Sequence, residues 1–470
     1  MRQRSFPSPP EFQESENGYR YLQFSYPYDL SRIQQANPAR YPFLLESPSK
    51  GSNGVYDILF GFSGDRLELN GANELLLNDH KISGRFFDQL RNSLGAENID
   101  AIDKVPVDTP FSGGWFVYLG YEMAREIEPT LSDLRNDESL PLAIAHRIPI
   151  GIVVNQDDAT TTIIGDPGAS DQQLEQVLRD LQQTSAIPDN HQTALTGISE
   201  EKPEIWLKAV ERAKHYIREG DIFQANLSRR WQGQYKYPVN PHRLYRDLKT
   251  TNPAPFAGLM LLKNQVAIIS SSPERLVRVR DGTVSTRPIA GTFPRGNSAN
   301  EDKLQSDALL RHPKEKAEHI MLIDLERNDL GRVCRPGSVR VTELMALETY
   351  SHVHHIVSEV KGRLRRDVDP VDVIMAVFPG GTITGCPKVR CMEIINELED
   401  SARGAYTGSM GYINRDGSLD FNILIRTIVS HDTLVSLRAG AGIVADSVPE
   451  RELAETRAKA EGLLRALELP

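Results

Sequence analysis

The sequence has little cysteine, no long apolar run and no excess of basic charge. Its three cysteines, Cys334, Cys386 and Cys391, are too few for a disulfide framework in 470 residues and match no zinc-binding spacing. No apolar stretch reaches the roughly 18 residues that a membrane-spanning helix needs, and the N-terminal segment lacks the apolar core of a signal peptide. The 54 basic and 64 acidic residues give a net charge of −10, which argues against a general nucleic-acid-binding protein. These absences predict a globular cytoplasmic protein that binds neither nucleic acid nor membranes.

A polar stretch divides the chain unequally. Residues 184–203 contain two prolines and no apolar periodicity, so they are typical of a linker or a long loop. Short β-rich runs alternate with turns before this stretch, and longer regular segments follow it. We therefore expect an N-terminal region over residues 1–184, a linker over 185–203 and a second region over 204–470.

Two hairpin signals indicate the fold class. Asp281-Gly282 and Asp416-Gly417 each stand between alternating apolar runs, and an Asp-Gly pair in that setting is typical of a β-hairpin. After the second hairpin the alternation continues through residues 421–429, which predicts one strand containing Arg426. Hairpins pair their strands antiparallel, so the sequence predicts an α+β fold and not a doubly wound parallel sheet.

Four helices are predicted in the second region. Apolar residues recur at helical spacing from Ile205 towards Gly220. Prolines open two further helices, one from Pro313 and one over residues 387–398. The last helix is predicted to begin at Ser447, because Ser447 and Glu450 have the spacing of a capping box.

Paired glutamates on two of these helices suggest a metal site. Glu315 and Glu318 stand three residues apart on the Pro313 helix, and Glu452, Glu455 and Lys459 share one face of the last helix. Carboxylates on facing helices could hold Mg²⁺, a hard ion that prefers oxygen ligands. Two solvated helix faces would produce the same pattern, so spacing alone leaves both interpretations open.

Three further features could carry chemistry or be structural. His355 could act as a general acid or base, or be a hydrogen-bonded interior histidine. The run FPGGTITGCPK at 378–388 could cradle an anion where a turn enters a helix, or be only a tight turn. Arg426 could bind a substrate carboxylate or form an internal salt bridge. The run AGAGIV at 439–444 does not lead directly into a helix, so it does not predict a dinucleotide site.

Read together, nine segments resemble those of the chorismate-utilising enzymes, in particular component I of the aminodeoxychorismate and anthranilate synthases. They follow the family order over about 250 residues. The segments are GDIFQANLS (220–228), SSPERL (271–276), RPIAGTFPRG (287–296), AEHIMLIDLERNDLGRV (317–333), HHIVSEVKG (354–362), FPGGTITGCPKVRCMEIINELE (378–399), YTGSMGYI (406–413), DFNILIRT (420–427) and AGAGIVADS (439–447). The resemblance implies a large α/β sandwich of two crossing antiparallel sheets flanked by helices.

The resemblance also implies a magnesium site. Glu318 and Glu455 match the Mg²⁺ ligands of the family, and Glu315 and Glu452 match carboxylates joined to the ion through water. In the family the ion binds the ring carboxylate of chorismate. Hard carboxylate oxygens suit this ion independently of the resemblance.

Substrate and catalytic residues follow from the same resemblance. Glu274 matches the acid that protonates the departing C4 hydroxyl, His355 the histidine beside the ring, and Thr382 a threonine near the substrate. A positioned acid is required because hydroxide is a poor leaving group. The expected substrate-binding residues are Tyr406 and Arg426 at the enolpyruvyl carboxylate, Gly442 through its backbone, and Lys459 near the ring carboxylate.

Position 290 and neighbouring stretches bear on the product. Isochorismate and salicylate synthases carry a lysine where this chain has Ala290, and so do many aminodeoxychorismate synthases, whereas anthranilate synthases and some aminodeoxychorismate synthases share PIAGT. Ala290 therefore argues against an isochorismate synthase and leaves the other two products open. FPGGTITG resembles the aminodeoxychorismate synthases more than the anthranilate synthases, and NPAPFAGLM at 252–260 departs from the tryptophan-binding stretch of the latter. We therefore expect 4-amino-4-deoxychorismate for para-aminobenzoate and folate biosynthesis, with anthranilate as the alternative.

The remaining expectations concern partners. No glutaminase nucleophile stands out in the sequence, so use of glutamine implies a separate amidotransferase subunit that supplies ammonia. A non-enzymatic alternative is an aromatic amino-acid-binding regulatory subunit that uses the N-terminal region. Retention of Glu274, Glu318, His355 and Glu455 argues for catalysis instead.

Overall fold

The computed structural model describes residues 10–48, 55–95, 107–182, 195–296, 298–311, 313–349 and 353–468. Two large antiparallel sheets dominate it, with helices on their outer faces. Every strand pair in the described residues is antiparallel, which confirms the α+β sandwich expected from the hairpins. None of the helices in these ranges combines the length and apolar character of a membrane span.

The first sheet has 13 strands in the described residues. In spatial order they are β1 (Gln13–Glu14), β2 (Arg20–Phe24), β11 (Thr160–Gly165), β10 (Ile150–Asn155), β4 (Tyr56–Gly61), β3 (Phe43–Glu46), β14 (Phe256–Leu261), β15 (Val266–Ser272), β24 (Thr427–His431), β25 (Leu434–Ile443), β13 (Gln224–Tyr235) and β12 (Leu195–Glu200), with β21 (Gly385–Cys386) also pairing with β13.

The second sheet has 12 strands in the same ranges. They are β18 (Ile289–Pro294), β20 (Val353–Arg363), β17 (Thr283–Thr286), β16 (Arg275–Arg280), β23 (Leu419–Asn422), β22 (Ser409–Asn414), β8 (Gly114–Leu119), β9 (Ala143–Ile148), β5 (Arg66–Leu69), β6 (Leu75–Leu77) and β7 (His80–Lys81), with β19 (Arg340–Thr349) also pairing with β20.

Eleven α-helices lie in the described part of the chain. They are α1 (Leu30–Ala36), α2 (Phe86–Gly95), α3 (Ala124–Ile127), α4 (Asp171–Gln182), α5 (Pro203–Arg218), α6 (Pro241–Thr251), α7 (Ala299–Arg311), α8 (Pro313–Gly331), α9 (Pro370–Val377), α10 (Lys388–Leu398) and α11 (Pro449–Glu468).

The core between the sheets is aromatic. Phe43 of the first sheet stacks on Phe116 of the second, with ring centroids 4.0 Å apart and nearly parallel planes. Phe60 contacts the edges of Phe111 and Phe116 in the same layer. Each fully buried aromatic side chain contributes about 2 kcal/mol of transfer free energy, so this layer is a main source of cohesion between the sheets.

Two sequence expectations about segment boundaries are corrected. Residues 185–194 of the predicted linker lie outside the described residues, but 195–200 form strand β12, so the loop prediction is wrong there. The strand pairs with β13, and that backbone pairing outweighs the polar composition of the segment. Strands from before and after this stretch share both sheets, as where β14 pairs with β3.

The last helix also differs from expectation at its start. It begins at Pro449, two residues after the predicted Ser447. The Ser447 hydroxyl accepts a hydrogen bond from the Val444 amide at 3.0 Å, so it satisfies the preceding turn and not the helix. The helices predicted from Ile205, from Pro313 and over 387–398 are confirmed as α5, α8 and α10.

Candidate active site

The predicted site residues come from segments that meet where the two sheets face the helices α8, α10 and α11. Glu274 lies in the turn between β15 and β16, and His355 lies in β20. Thr382 lies in a single 3₁₀ turn between α9 and α10. Mutual electrostatic influence links Glu274 to Thr382 and Lys459, and links His355 to Arg426 and Lys459. The structure therefore brings most of these residues into one neighbourhood.

The Glu274 carboxyl is positioned to act as an acid. It is 5% exposed, and burial raises its pKa to about 7, although the Thr382 hydroxyl, the Ile289 backbone and the Lys459 charge oppose this rise. Backbone hydrogen bonds fix the turn, since its amide donates to Ser272 Oγ at 3.2 Å and its carbonyl accepts from the Ile423 amide at 3.0 Å. A carboxyl that retains a proton near pH 7 can deliver it to a leaving hydroxyl.

His355 is neutral at physiological pH. Burial lowers its pKa to about 4, and the nearby positive charges of Arg426 and Lys459 add to this effect. Its Nδ1 lies 3.4 Å from the Gly291 carbonyl oxygen, which can only accept, so Nδ1 carries the proton. A neutral ring with a fixed tautomer orients a ligand or accepts a proton; it does not supply one.

Arg426 departs from its sequence prediction. It lies between β23 of the second sheet and β24 of the first, where the chain crosses from one sheet to the other, and not within a strand. Its φ of +53° is left-handed, a conformation that costs a non-glycine residue about 1–2 kcal/mol. Backbone contacts hold the crossing, since the Ser271 amide donates to the Arg426 carbonyl at 3.1 Å.

The guanidinium of Arg426 has no ion-pair or hydrogen-bond partner among the described residues. The charged or polar groups that influence it are Tyr406 and Glu455, while burial lowers its pKa from the usual range. The internal salt bridge considered from the sequence is therefore not found in the described part of the chain. A half-buried cation without a counter-ion favours an anionic ligand, and a carboxylate matches its planar fork.

Tyr406 and the glycines of β25 lie on another side of this site. Gly442 of β25 pairs with Asn226 of β13. A Cβ atom on Gly440 would come within 2.8 Å of Tyr406 Oη and 2.5 Å of the Leu227 carbonyl oxygen, so glycine is required there. Lys459 Nζ donates to the Gly440 carbonyl at 3.0 Å, which ties α11 to this strand.

The four predicted metal ligands differ in their surroundings. Glu452 is buried, which argues against a solvated face at that position, whereas Glu455 is exposed and pairs with Lys459 at 2.6 Å. Glu318 is half-buried, and the side chain of Glu315 lies outside the described part. No three His, Cys, Asp or Glu side chains that the structure describes cluster closely enough to hold a metal ion. The all-carboxylate donor set fits Mg²⁺ in its chemistry, and the assignment stays a prediction.

A separate cavity of about 510 Å³ is lined by residues of the N-terminal region and of the second region. Its lining includes Glu46 and Ser47, Pro255 and Phe256, and Arg275 and Tyr412, but none of the predicted site residues. This volume is in the range of small-molecule pockets. The aromatic amino-acid ligand considered from the sequence stays a prediction for this region.

Comparison with known proteins places the chain in a family. The sequence profile of the chorismate binding enzymes matches residues 40–465. The chain belongs to the chorismate binding enzymes. This membership confirms the resemblance inferred from the nine segments.

Relatives within the chorismate binding enzymes carry two functional names. An "anthranilate synthase component I-like protein" of Synechocystis is 42% identical over 371 residues, covering 79% of this chain and 76% of the relative. The "aminodeoxychorismate synthase component 1" of Bacillus subtilis is 43% identical, covering 76% of this chain and 78% of the relative. The crystal structure of anthranilate synthase component I from Streptococcus pneumoniae aligns with a TM-score of 0.77 at 32% identity, over 88% of this chain and 93% of that one. Identity at this level does not separate the two products.

Three residues near the predicted site residues could not be singled out from the sequence; two of them, Glu399 and Arg403, are buried. Arg403, Glu399 and Asn226 connect the segments that carry Thr382, Tyr406 and Gly442. The only sequence signal was that charged residues stand next to apolar ones in the NELED and SARGAYTG stretches, and that signal is common on protein surfaces.

Proposed function

We propose that this chain is an aminodeoxychorismate synthase component I, which converts chorismate and ammonia to 4-amino-4-deoxychorismate. The observation that carries the proposal is the presence, in one site, of a buried carboxyl whose pKa is raised to about 7 and an arginine without a counter-ion among the described residues. Chorismate offers both complements, since it carries two carboxylates and a hydroxyl that must leave with a proton. The proposed location is the cytoplasm.

Binding of the substrate would use both carboxylates. Arg426 and Tyr406 would hold the enolpyruvyl carboxylate, Gly442 would donate its backbone amide, and Lys459 would approach the ring carboxylate. Mg²⁺ held by Glu318 and Glu455, with Glu315 and Glu452 acting through water, would add positive charge at the ring carboxylate. Charge-assisted hydrogen bonds of this kind fix orientation as well as affinity.

The chemical step depends on Glu274. Its proton passes to the C4 hydroxyl, the C–O bond breaks, and the hydroxyl departs as water. The lone pair of ammonia forms the new C–N bond. The nitrogen then loses a proton, which reprotonates the Glu274 carboxylate. General acids of this kind contribute roughly 10²- to 10⁴-fold to the rate. Neutral His355 would orient the ring, and Thr382 would hold the Glu274 carboxyl in place.

Ammonia would attack the substrate directly. Ala290 stands where related enzymes have a lysine, and a methyl group has no lone pair with which to attack the ring or activate water. Lys459 is engaged in an ion pair with Glu455 at 2.6 Å, which argues against a role as the nucleophile. A glutamine amidotransferase subunit would supply the ammonia.

Anthranilate synthase component I is the second candidate, because relatives of comparable identity bear that name. Both reactions lose the C4 hydroxyl, so the acid at Glu274 serves either. Chromatography after incubation with chorismate, ammonium and Mg²⁺ tests the choice. Accumulation of 4-amino-4-deoxychorismate with its enolpyruvyl group intact supports the proposal, whereas equal amounts of anthranilate and pyruvate would replace it with the second candidate.

An aromatic amino acid in the 510 Å³ cavity is compatible with either enzyme. A ligand there would make the N-terminal region regulatory or structural, as the sequence analysis considered. Thermal melting with each aromatic amino acid tests this function. A rise in melting temperature that is lost when Ser47 is replaced by tryptophan, which would fill the cavity, supports it, and melting temperatures that do not change contradict it.

A further inference from the structure

A buried charge cluster lies directly behind the substrate-binding residues. Glu399 accepts hydrogen bonds from Arg403 at 2.6 and 3.0 Å and from Arg438 at 2.9 Å, and all three side chains are at most 7% exposed. Burial opposes the ionisation of Glu399, but the two guanidinium charges outweigh it and hold the pKa of this carboxyl below its usual value. One carboxylate between two guanidinium groups leaves a surplus of one positive charge.

Neither of the neighbouring carboxyls pairs with these guanidinium groups in the described part of the chain, where both guanidinium groups pair with Glu399. Glu122 instead accepts from the Arg403 amide at 2.8 Å, and burial raises its pKa to about 7, so it is only partly ionised near neutrality. Burial also raises the pKa of Glu201, which lies near Arg438. An excess of buried positive charge is unfavourable unless an anion comes close to it.

Arg403 contacts two segments that carry predicted substrate or catalytic residues, and a strand that pairs with a third. Its Nη1 donates to the Ile383 carbonyl at 3.1 Å, next to Thr382. Its Nη2 donates to the Asn226 carbonyl at 2.6 Å, and Asn226 pairs with Gly442. The guanidinium carbon lies 5.7 Å from the centre of the Tyr406 ring. One side chain therefore ties together backbone and ring groups from three different elements.

We infer that Arg403 is a positioning residue for the anionic substrate: it fixes Tyr406, Thr382 and Gly442 and contributes the surplus positive charge behind them. The inference rests on the proposed function, because it assumes a substrate with two carboxylates. A cation behind the ring of Tyr406 polarises its hydroxyl towards donation to a carboxylate. The cluster also differs from an ordinary buried ion pair, since its charge is not balanced.

Variants that change the cluster charge in opposite directions test this role. R403M removes the surplus charge and is expected to raise the KM for chorismate about ten-fold, with a smaller change in kcat. E399Q increases the surplus and is expected to leave that KM unchanged or lower. R403K keeps the charge but not the fork, so its KM should lie nearer the wild-type value than that of R403M.

A matched control separates this role from general destabilisation. Arg147 is a largely buried arginine that pairs with Asp166 in the N-terminal region, and R147M should lower the melting temperature without changing the KM. Equal rises of KM in R403M and E399Q would identify a merely structural cluster and overturn the inference, as would a wild-type KM in R403M. If R403M fails to fold, the KM values of R403K and E399Q are compared in the same way, and equal rises in these two variants would overturn the inference. KM is measured as loss of chorismate whatever the product, so a wild-type enzyme that does not consume chorismate contradicts the proposed function and not this inference alone.

Discussion

Replacement of Glu274 by glutamine should lower the activity of the enzyme and raise its stability at pH 8. Glutamine has nearly the same shape but no acidic proton, so protonation of the C4 hydroxyl should be lost. We expect kcat with ammonium to fall roughly 10²- to 10⁴-fold. The wild-type kcat should itself fall as the pH rises through about 7, because the acid must be protonated to act.

The stability effect follows from the same pKa. The folded state holds the proton of Glu274 up to about pH 7, whereas the unfolded chain releases it near 4.5. Below pH 4.5 both states are protonated and the group has no effect. As the pH rises from 4.5 to 7 the unfolded state alone gains the favourable ionisation, so stability falls, by about 3 kcal/mol in total. Glutamine never ionises, and E274Q should therefore be more stable than the wild type at pH 8.

Activity assays and urea unfolding at pH 5 and pH 8 measure both effects. Asp57 provides the matched control: burial and the charge of Glu46 raise its pKa to about 7, and it accepts hydrogen bonds from the Ser47 amide and Gln156. D57N should gain stability at pH 8 and keep its activity. An E274Q enzyme that retains activity within several-fold, or that is less stable than the wild type at pH 8, would refute the assignment of Glu274 as the acid.

Three further predictions concern the cation, the metal and the nucleophile. R426A should raise the KM for chorismate by about a hundred-fold, whereas R426K should raise it less because lysine keeps the charge. Steady-state kinetics measure both KM values, and equal rises in the two variants would contradict a charge-based role. EDTA should abolish turnover, and full activity in excess EDTA would contradict the metal assignment. E455A should weaken Mg²⁺ binding measured by calorimetry. Its melting temperature should change little, because the Glu455 side chain is 48% exposed. Without any nitrogen source, intact-protein mass spectrometry should show no adduct with chorismate, since Ala290 cannot attack the ring, and an adduct on any lysine would overturn direct attack by ammonia.

Local chemistry made part of the fold predictable. The Asp281-Gly282 hairpin is confirmed, with both residues at positive φ and Arg280 paired with Thr283. The crossing near Arg426 could not be predicted, because apolar alternation continues through it while β23 and β24 pair with different sheets. Strand pairing, a property of distant segments, decides where that strand ends.

Candidate site residues could be named from the sequence, but their protonation could not. Motif resemblance named Glu274 and His355, yet nothing in their neighbours along the chain indicates that one retains its proton near pH 7 and the other stays neutral. Both properties result from burial by residues far away in sequence. For the same reason the sequence did not indicate Arg403 and Glu399 as candidates, because their hydrogen bonds form only when the sheets assemble.

Considered together, the charges of these groups suit the binding of a dianion. Burial acts in the same direction on Glu274 and His355, since it disfavours the charged form of each: His355 is neutral near pH 7, and Glu274 is ionised only in part, so the two groups oppose the ligand little. Arginine cannot respond in this way, because its guanidinium stays charged at any accessible pH. Arg426 and the surplus on Arg403 therefore remain positive in the same surroundings. A site of this kind can attract a dianion and still provide a proton for its hydroxyl. The same burial disfavours the charged forms of the carboxyl and the imidazole but leaves the guanidinium groups charged.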